Sequence, residues 1–164
     1  MFSTLLLPID GSDTAQNAIP YALELAEQYE MALHIVSVVE TDGTEPDEKR
    51  MAMYEEFEVE AKQMVEDVIA QAGRRDIRTT AGSIAEGKPQ RAILQYAAEQ
   101  DVDLIVMGTH GRSGFRHALR RSVTEKVIRR AEAPVLAIRL VDSDHNENTH
   151  QKSAERVCRS LIPL

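Results

Sequence analysis

The chain has no tryptophan, only 4% aromatic residues and a single cysteine. Its core must therefore be built from Leu, Ile, Val, Ala and Met. One cysteine, Cys158, excludes an internal disulfide and fits a reducing, cytoplasmic setting. No cysteine motif surrounds it, so it reads as a bystander in a polar tail. No apolar run approaches the ~20 residues of a membrane span. Met1 to Leu7 lacks the basic start of a secretory signal and reads as a first strand. The histidines show no metal-ligand spacing. Basic residues are outnumbered by acidic ones to give a formal charge of −8, which argues against general nucleic-acid binding.

What is present is an ordinary globular composition, 43% apolar and 28% charged over 164 residues, enough for one domain with a real core. The charge is unevenly placed. Between Gly108 and Arg130 seven bases (Arg112, Arg116, Arg120, Arg121, Lys126, Arg129, Arg130) face one acid, Glu125, so this segment carries +6 and the remainder −14. A concentrated basic patch in an acidic chain calls for an anionic partner, although a solvated basic face or a docking patch for an acidic surface such as Glu55 to Glu60 would use the same residues.

Five short apolar runs, Leu5 to Ile9, Leu33 to Val39, Ile77 to Ala81, Leu104 to Met107 and Val135 to Ile138, alternate with four helical patterns. Four of the runs are nearly continuous, as in parallel strands covered on both faces; the third, with Arg78, Thr79 and Thr80, reads as an edge strand. The first helix begins at Ser12 or Asp13, and the second carries Tyr54, Phe57, Ala61, Met64, Val65, Val68, Ile69 and Ala72 before a C′ glycine, Gly73. The third begins at Pro89, and the fourth begins at Arg121 or Ser122 and ends before Pro134. The alternation predicts an α/β fold with an open parallel sheet. Thr41 to Lys49 reads as an acidic, solvated linker. The domain spans residues 1–140, and 141–164 reads as a polar, partly disordered tail whose Val157, Leu161, Ile162 and Leu164 suit weak docking.

In such a sheet ligands bind beyond the carboxyl ends of the strands, where strand order reverses. Two strand ends stand out: Pro8-Ile9-Asp10-Gly11-Ser12 and Met107-Gly108-Thr109-His110-Gly111-Arg112-Ser113-Gly114. Glycines admit a phosphate close to backbone N–H groups, and Ser122 at the next helix start adds a hydroxyl. The loop is neither a Walker motif, lacking Gly-Lys-Ser/Thr at the required spacing, nor a dinucleotide fingerprint, lacking the glycine-rich turn after the first strand. Asp10 suits either a ligand hydrogen bond or a turn-holding role. His110 suits phosphate contact better than general-base catalysis, because no nucleophile stands at a triad spacing. His34 lies in a buried run and reads as a structural histidine.

These motifs, with Glu86-Gly87-Lys88-Pro89, Ser122 to Val127 and Ala133-Pro134-Val135-Leu136, resemble the universal stress protein family over about residues 1 to 140. The resemblance implies a five-stranded sheet of order 3-2-1-4-5 and a homodimer paired through the fifth strand (Val135 to Ile138), and the reading is a stress or regulatory protein acting through a protein partner rather than an enzyme; slow ATP hydrolysis stays open, with only Asp10 and His110 as candidate groups. With no apolar run long enough to span a bilayer, no membrane partner is expected. The resemblance also implies an adenine nucleotide, ATP or AMP with Mg²⁺ able to accompany it. Adenine falls near Pro8, Ile9, Asp10 and Val38, and ribose near Met107 and Gly108. Phosphates fall near His110, Gly111, Arg112, Arg121, Ser122, Val123 and Thr124. The family's ATP binders share Gly-x2-Gly-x9-Gly-Ser/Thr. Here Gly108, Gly111 and Ser122 match, and Arg121 replaces the third glycine. Arg121 either obstructs the phosphates through its Cβ or contributes a charged contact. The alternative is a family member that binds no nucleotide and acts through protein contacts.

Overall fold

The computed structural model describes residues 2–41, 48–109 and 123–139. The elements are β1 (Thr4–Ile9), α1 (Asp13–Gln28), β2 (Ala32–Val39), α2 (Glu48–Gly73), β3 (Thr79–Glu86), α3 (Pro89–Glu99), β4 (Leu104–Thr109), α4 (Val123–Ile128) and β5 (Val135–Arg139). The five strands form one parallel sheet in the order β3-β2-β1-β4-β5, as expected. The order reverses between β1 and β4.

Alternation along the strands divides the core in two. Leu5, Leu7 and Ile9 of β1, with Leu104 and Val106 of β4, join Ala18, Ile19 and Ala22 of α1 and Val65 and Val68 of α2. Leu6, Ile105 and Met107 face the other way and join Ile93 and Ala97 of α3 and Val127 of α4. Alternate residues of each central strand are buried on opposite faces, which explains the unbroken apolar runs. Small residues on α1 (Ala15, Ala18, Ala22, Ala26) bring that helix close to the sheet.

Local signals acted largely as read. Ser12 caps α1, its Oγ accepting from the Ala15 N–H at 3.3 Å. Pro89 opens α3. Three boundaries differ. The third strand runs Thr79–Glu86 rather than ending at Ala81, because pairing with β2 continues to Val39 opposite Glu86, and backbone pairing outweighs the weak hydropathy of Gly82 and Ser83. The linker is shorter than read, since Glu48 and Lys49 are already helical. Gly73 is the last residue of α2, and the left-handed conformation falls instead on Asp76 (φ 55°). The expected starts of α4 at Arg121 or Ser122, residues 42–47 of the linker and the tail lie outside the described residues. Among the described residues, no helix is long and apolar enough to cross a membrane.

Candidate functional site at the carboxyl ends of β1 and β4

The two central strands are tied together at their amino ends, and their hydrogen-bonded ladder stops short of their carboxyl ends. At the amino end the carboxylate of Asp103 accepts from the Ser3 N–H (2.8 Å), the Ser3 hydroxyl (2.9 Å) and the Thr4 N–H (3.0 Å). The Asp103 N–H donates to the Thr4 carbonyl at 3.0 Å. These hydrogen bonds from Ser3 hold the Asp103 carboxyl below its usual pKa. The ladder then pairs Leu5 with Leu104 and Leu6 with Ile105, and goes no further, although β1 continues to Ile9 and β4 to Thr109.

Pro8 gives a physical reason. In a parallel strand successive residues direct their backbone groups to alternate neighbours. The Ser3 carbonyl receives Ala32 N–H from β2, and the Thr4 carbonyl receives Asp103 N–H from β4. Pro8 is four residues beyond Thr4, so its missing N–H falls on the β4 side, where the ladder has ended. Toward β2 the strand stays paired throughout, with Ile9 opposite Ser37. The result is a gap in the hydrogen-bonded ladder at the reversal of strand order.

Pro8, Ile9, Asp10, Val38, Met107 and Gly108 lie at the carboxyl ends of β1, β2 and β4, and Val123 and Thr124 at the start of α4; Ile9 faces the α1–α2 side of the sheet, and Val38, Met107 and Val123 the α3–α4 side. Pro8, Ile9 and Met107 are buried, Val38 and Val123 half-buried, and Asp10 exposed. The register that sets Ile9 against Ser37 puts Asp10 level with Val38. His110, Gly111, Arg112, Arg121 and Ser122, expected at the phosphates, lie outside the described residues.

Asp10 holds the turn. Its Oδ1 accepts from the Ser12 N–H at 3.0 Å and from the Ser12 hydroxyl at 2.6 Å. Ser12 Oγ lies 2.9 Å from Thr14 Oγ1, so with Ser12 donating to Asp10, the buried Thr14 hydroxyl donates to Ser12. Gly11 between them has φ 76°, and a Cβ there would meet Met64 Sδ at 2.9 Å. The positive φ is what favours glycine here, since the Met64 side chain is flexible enough to shift.

Gly108 is held from both faces. A Cβ on its α1 side would run into the Thr14 carbonyl. Its own carbonyl accepts the Thr124 hydroxyl at 2.7 Å, and Thr124 is 6% exposed. Reasoning from sequence gave Gly108 only a ligand role, as a glycine of the phosphate loop placed beside the ribose. The structure adds packing against α1 as a sufficient reason for glycine. It also adds Thr14, Ser12 and Met64 to the surroundings of the gap. The spacing Asp10-Gly11-Ser12-x-Thr14 was the available signal for Thr14; nothing local pointed to Met64, which arrives from α2.

His34 is structural, as read. Its Nδ1 lies 3.1 Å from the Tyr96 hydroxyl of α3, with the rings edge to face. Burial, and then the charge of Arg78, lower its pKa below the ordinary value. Two grooves, of about 820 and 510 Å³, flank α3 and share Lys88, Arg91 and Gln95; neither is lined by the gap residues. Among the described residues, no group of three or more His, Cys, Asp or Glu side chains is placed to hold a metal.

The fold is that of an open parallel α/β sheet with one reversal of strand order, the place at which sheets of this kind receive ligands. Residues 1–139 match the universal stress protein family model. A universal stress protein of Thermus aquaticus is 34% identical over 140 residues, 85% of this chain and 100% of that protein. The crystal structure of a universal stress protein family member from Burkholderia pseudomallei has a TM-score of 0.67 at 32% identity, covering 84% of this chain and 96% of that one. The universal stress protein from Archaeoglobus fulgidus in complex with dAMP shares the fold, with a TM-score of 0.62 at 22% identity over 84% and 98% of the two chains. This chain belongs to the universal stress protein family.

Proposed function

We propose that this protein is a stress-response regulator that binds an adenine nucleotide, ATP or AMP with Mg²⁺ accompanying it, in the gap between the carboxyl ends of β1 and β4. The observation that carries the reading is the early end of the β1–β4 ladder at Leu6 and Ile105, which leaves the strand ends that carry Asp10, Met107 and Gly108 unpaired to each other at the reversal of strand order. Val38 and Met107 offer apolar contact to a base and ribose. Asp10 Oδ1 is occupied by Ser12, so its remaining carboxylate capacity suits the amino edge of adenine or a ribose hydroxyl. The basic segment following β4 supplies cations for phosphates, with His110, Gly111, Arg112, Arg121, Ser122, Val123 and Thr124 as the contacts. The dAMP complex of the Archaeoglobus protein is compatible with a ligand of this class on this scaffold; at 22% identity it speaks for the fold alone.

The role is binding rather than turnover, with occupancy altering a protein contact, and the assembly is a cytoplasmic homodimer through the outer edge of β5. The test is direct. Denaturing the purified protein should release an adenine nucleotide into the supernatant, and ATP-Mg²⁺ should give calorimetric heat with the emptied protein. Absence of both would overturn the reading. Arg121→Gly should tighten binding if the arginine obstructs and weaken it if the arginine contacts phosphate.

A second reading has its own support. Gly108 is fully accounted for by Thr14, and the Thr124 hydroxyl is already bound to the Gly108 carbonyl. Both positions are therefore satisfied without a ligand. Together with Arg121 in place of glycine, this favours a member that works through protein contacts with an empty pocket. An empty supernatant would select it.

A further inference from the structure

α2 is too long for the sheet it covers. Its 26 residues extend ~39 Å, whereas the eight-residue strands β2 and β3 beneath it extend ~26 Å. Its buried residues, Ala61, Val65, Val68 and Ala72, all lie in the second half. The first half overhangs, leaving Met51, Met53, Phe57 and Val59 51%, 45%, 45% and 68% exposed.

The overhang carries a pattern of its own. Arg50, Met53, Phe57, Glu60 and Met64 recur at alternating spacings of three and four, the repeat of a helix-pairing seam. This row lies beside the core-facing stripe and merges with it only at Met64, which packs against the core. Arg50 is laid along the helix, its guanidinium donating to the Tyr54 hydroxyl at 3.0 Å and lying 5.9 Å from that ring. Glu60 is exposed. A parallel partner would set Arg50 against Arg50 and Glu60 against Glu60. An antiparallel one, centred near Glu55, sets Arg50 against Glu60 and Met53 against Phe57, each twice by symmetry.

We propose that the overhanging half of α2 pairs antiparallel with the same half of a second copy, Met53 and Phe57 forming the apolar centre and Arg50–Glu60 pairs closing both ends. The seam from Arg50 to Glu60 is ~15 Å long, short beside the ~800 Å² per partner of a standard interface. The contact is therefore concentration-dependent. It lies at the β3 side of the sheet, opposite β5, and joins dimers made through β5 into larger assemblies.

The test is sedimentation equilibrium of the full chain between about 10 and 500 µM, the range in which so small a contact is half-formed. Wild-type mass should rise with concentration. Phe57→Glu, at an exposed site, should weaken this step about tenfold or more and leave whatever mass β5 pairing provides. Arg50→Glu and Glu60→Arg should each weaken it several-fold, and the double variant should recover it. Helix content by circular dichroism confirms that each variant is folded. Coincident curves for wild type and Phe57→Glu would overturn the proposal. So would association that Phe57→Glu abolishes but the charge swap fails to restore. Loss of nucleotide binding leaves this outcome untouched.

Discussion

The two ends of the β1–β4 junction are built from the same strands and behave oppositely. At the amino end one carboxylate, Asp103, gathers three donors from Ser3 and Thr4 and locks the strands together. At the carboxyl end Pro8 withholds a donor, the ladder stops, and Gly108 is clamped between α1 and α4 instead of being paired to β1. The difference shows how one pair of strands in a regular sheet can be tied at one end and left unpaired at the other. Backbone hydrogen bonds are the material in both cases, supplied in one and removed in the other.

The largest effect is expected from breaking the open end. Gly108→Ala drives a methyl into the Thr14 carbonyl, a backbone atom that cannot move aside, and should destabilise the protein by about 2–3 kcal/mol. Urea denaturation measures it; an unchanged midpoint would show that α1 gives way freely. Breaking the closed end comes next. Asp103→Ala leaves Ser3 and Thr4 without their acceptor and should cost about 1–2 kcal/mol. Because the Asp103 pKa is lowered in the fold, its contribution is present above its unfolded value of 3.8 and is lost as pH falls through the lower folded value. Asp103→Ala should therefore also flatten the acid limb of a Tm–pH profile below pH 4. Thr124→Val removes the hydroxyl that holds the Gly108 carbonyl and should cost about 1 kcal/mol by the same denaturation measurement.

The smallest effect sharpens the comparison by lying away from both ends. His34 titrates near 6.5 in the unfolded chain and lower in the folded one. As pH falls below 6.5 the unfolded chain takes up a proton that the folded chain refuses, so stability declines toward acid and is retained above 6.5. His34→Gln, which keeps a partner for the Tyr96 hydroxyl, should remove this decline between the unfolded and folded pKa values. A Tm–pH profile unchanged by the substitution would show that His34 is not the group responsible.

Much of the fold was legible because its determinants are local. Unbroken runs such as Leu5-Leu6-Leu7 announced strands buried on both faces, Ser12 and Pro89 marked helix starts, and Arg78-Thr79-Thr80 marked an edge. The end of β3 was not legible, because residues near Gly82 owe their strand state to pairing with β2. At the site, Asp10, Gly11 and Gly108 were marked by residue type. Met64 was not, because a contact across some fifty residues of chain leaves no trace in spacing.

The sequence alone determined the order of elements, the burial of both sheet faces and the placing of an acidic helix and a basic segment on one chain, since periodicity and charge are properties of residues in order. Only the tertiary structure decided where the β1–β4 ladder stops and which face of Gly108 must stay bare. It also decided that the first half of α2 reaches beyond the sheet. Those follow from register, from the directions of backbone groups and from the unequal rise of helix and strand, which act between segments rather than along them.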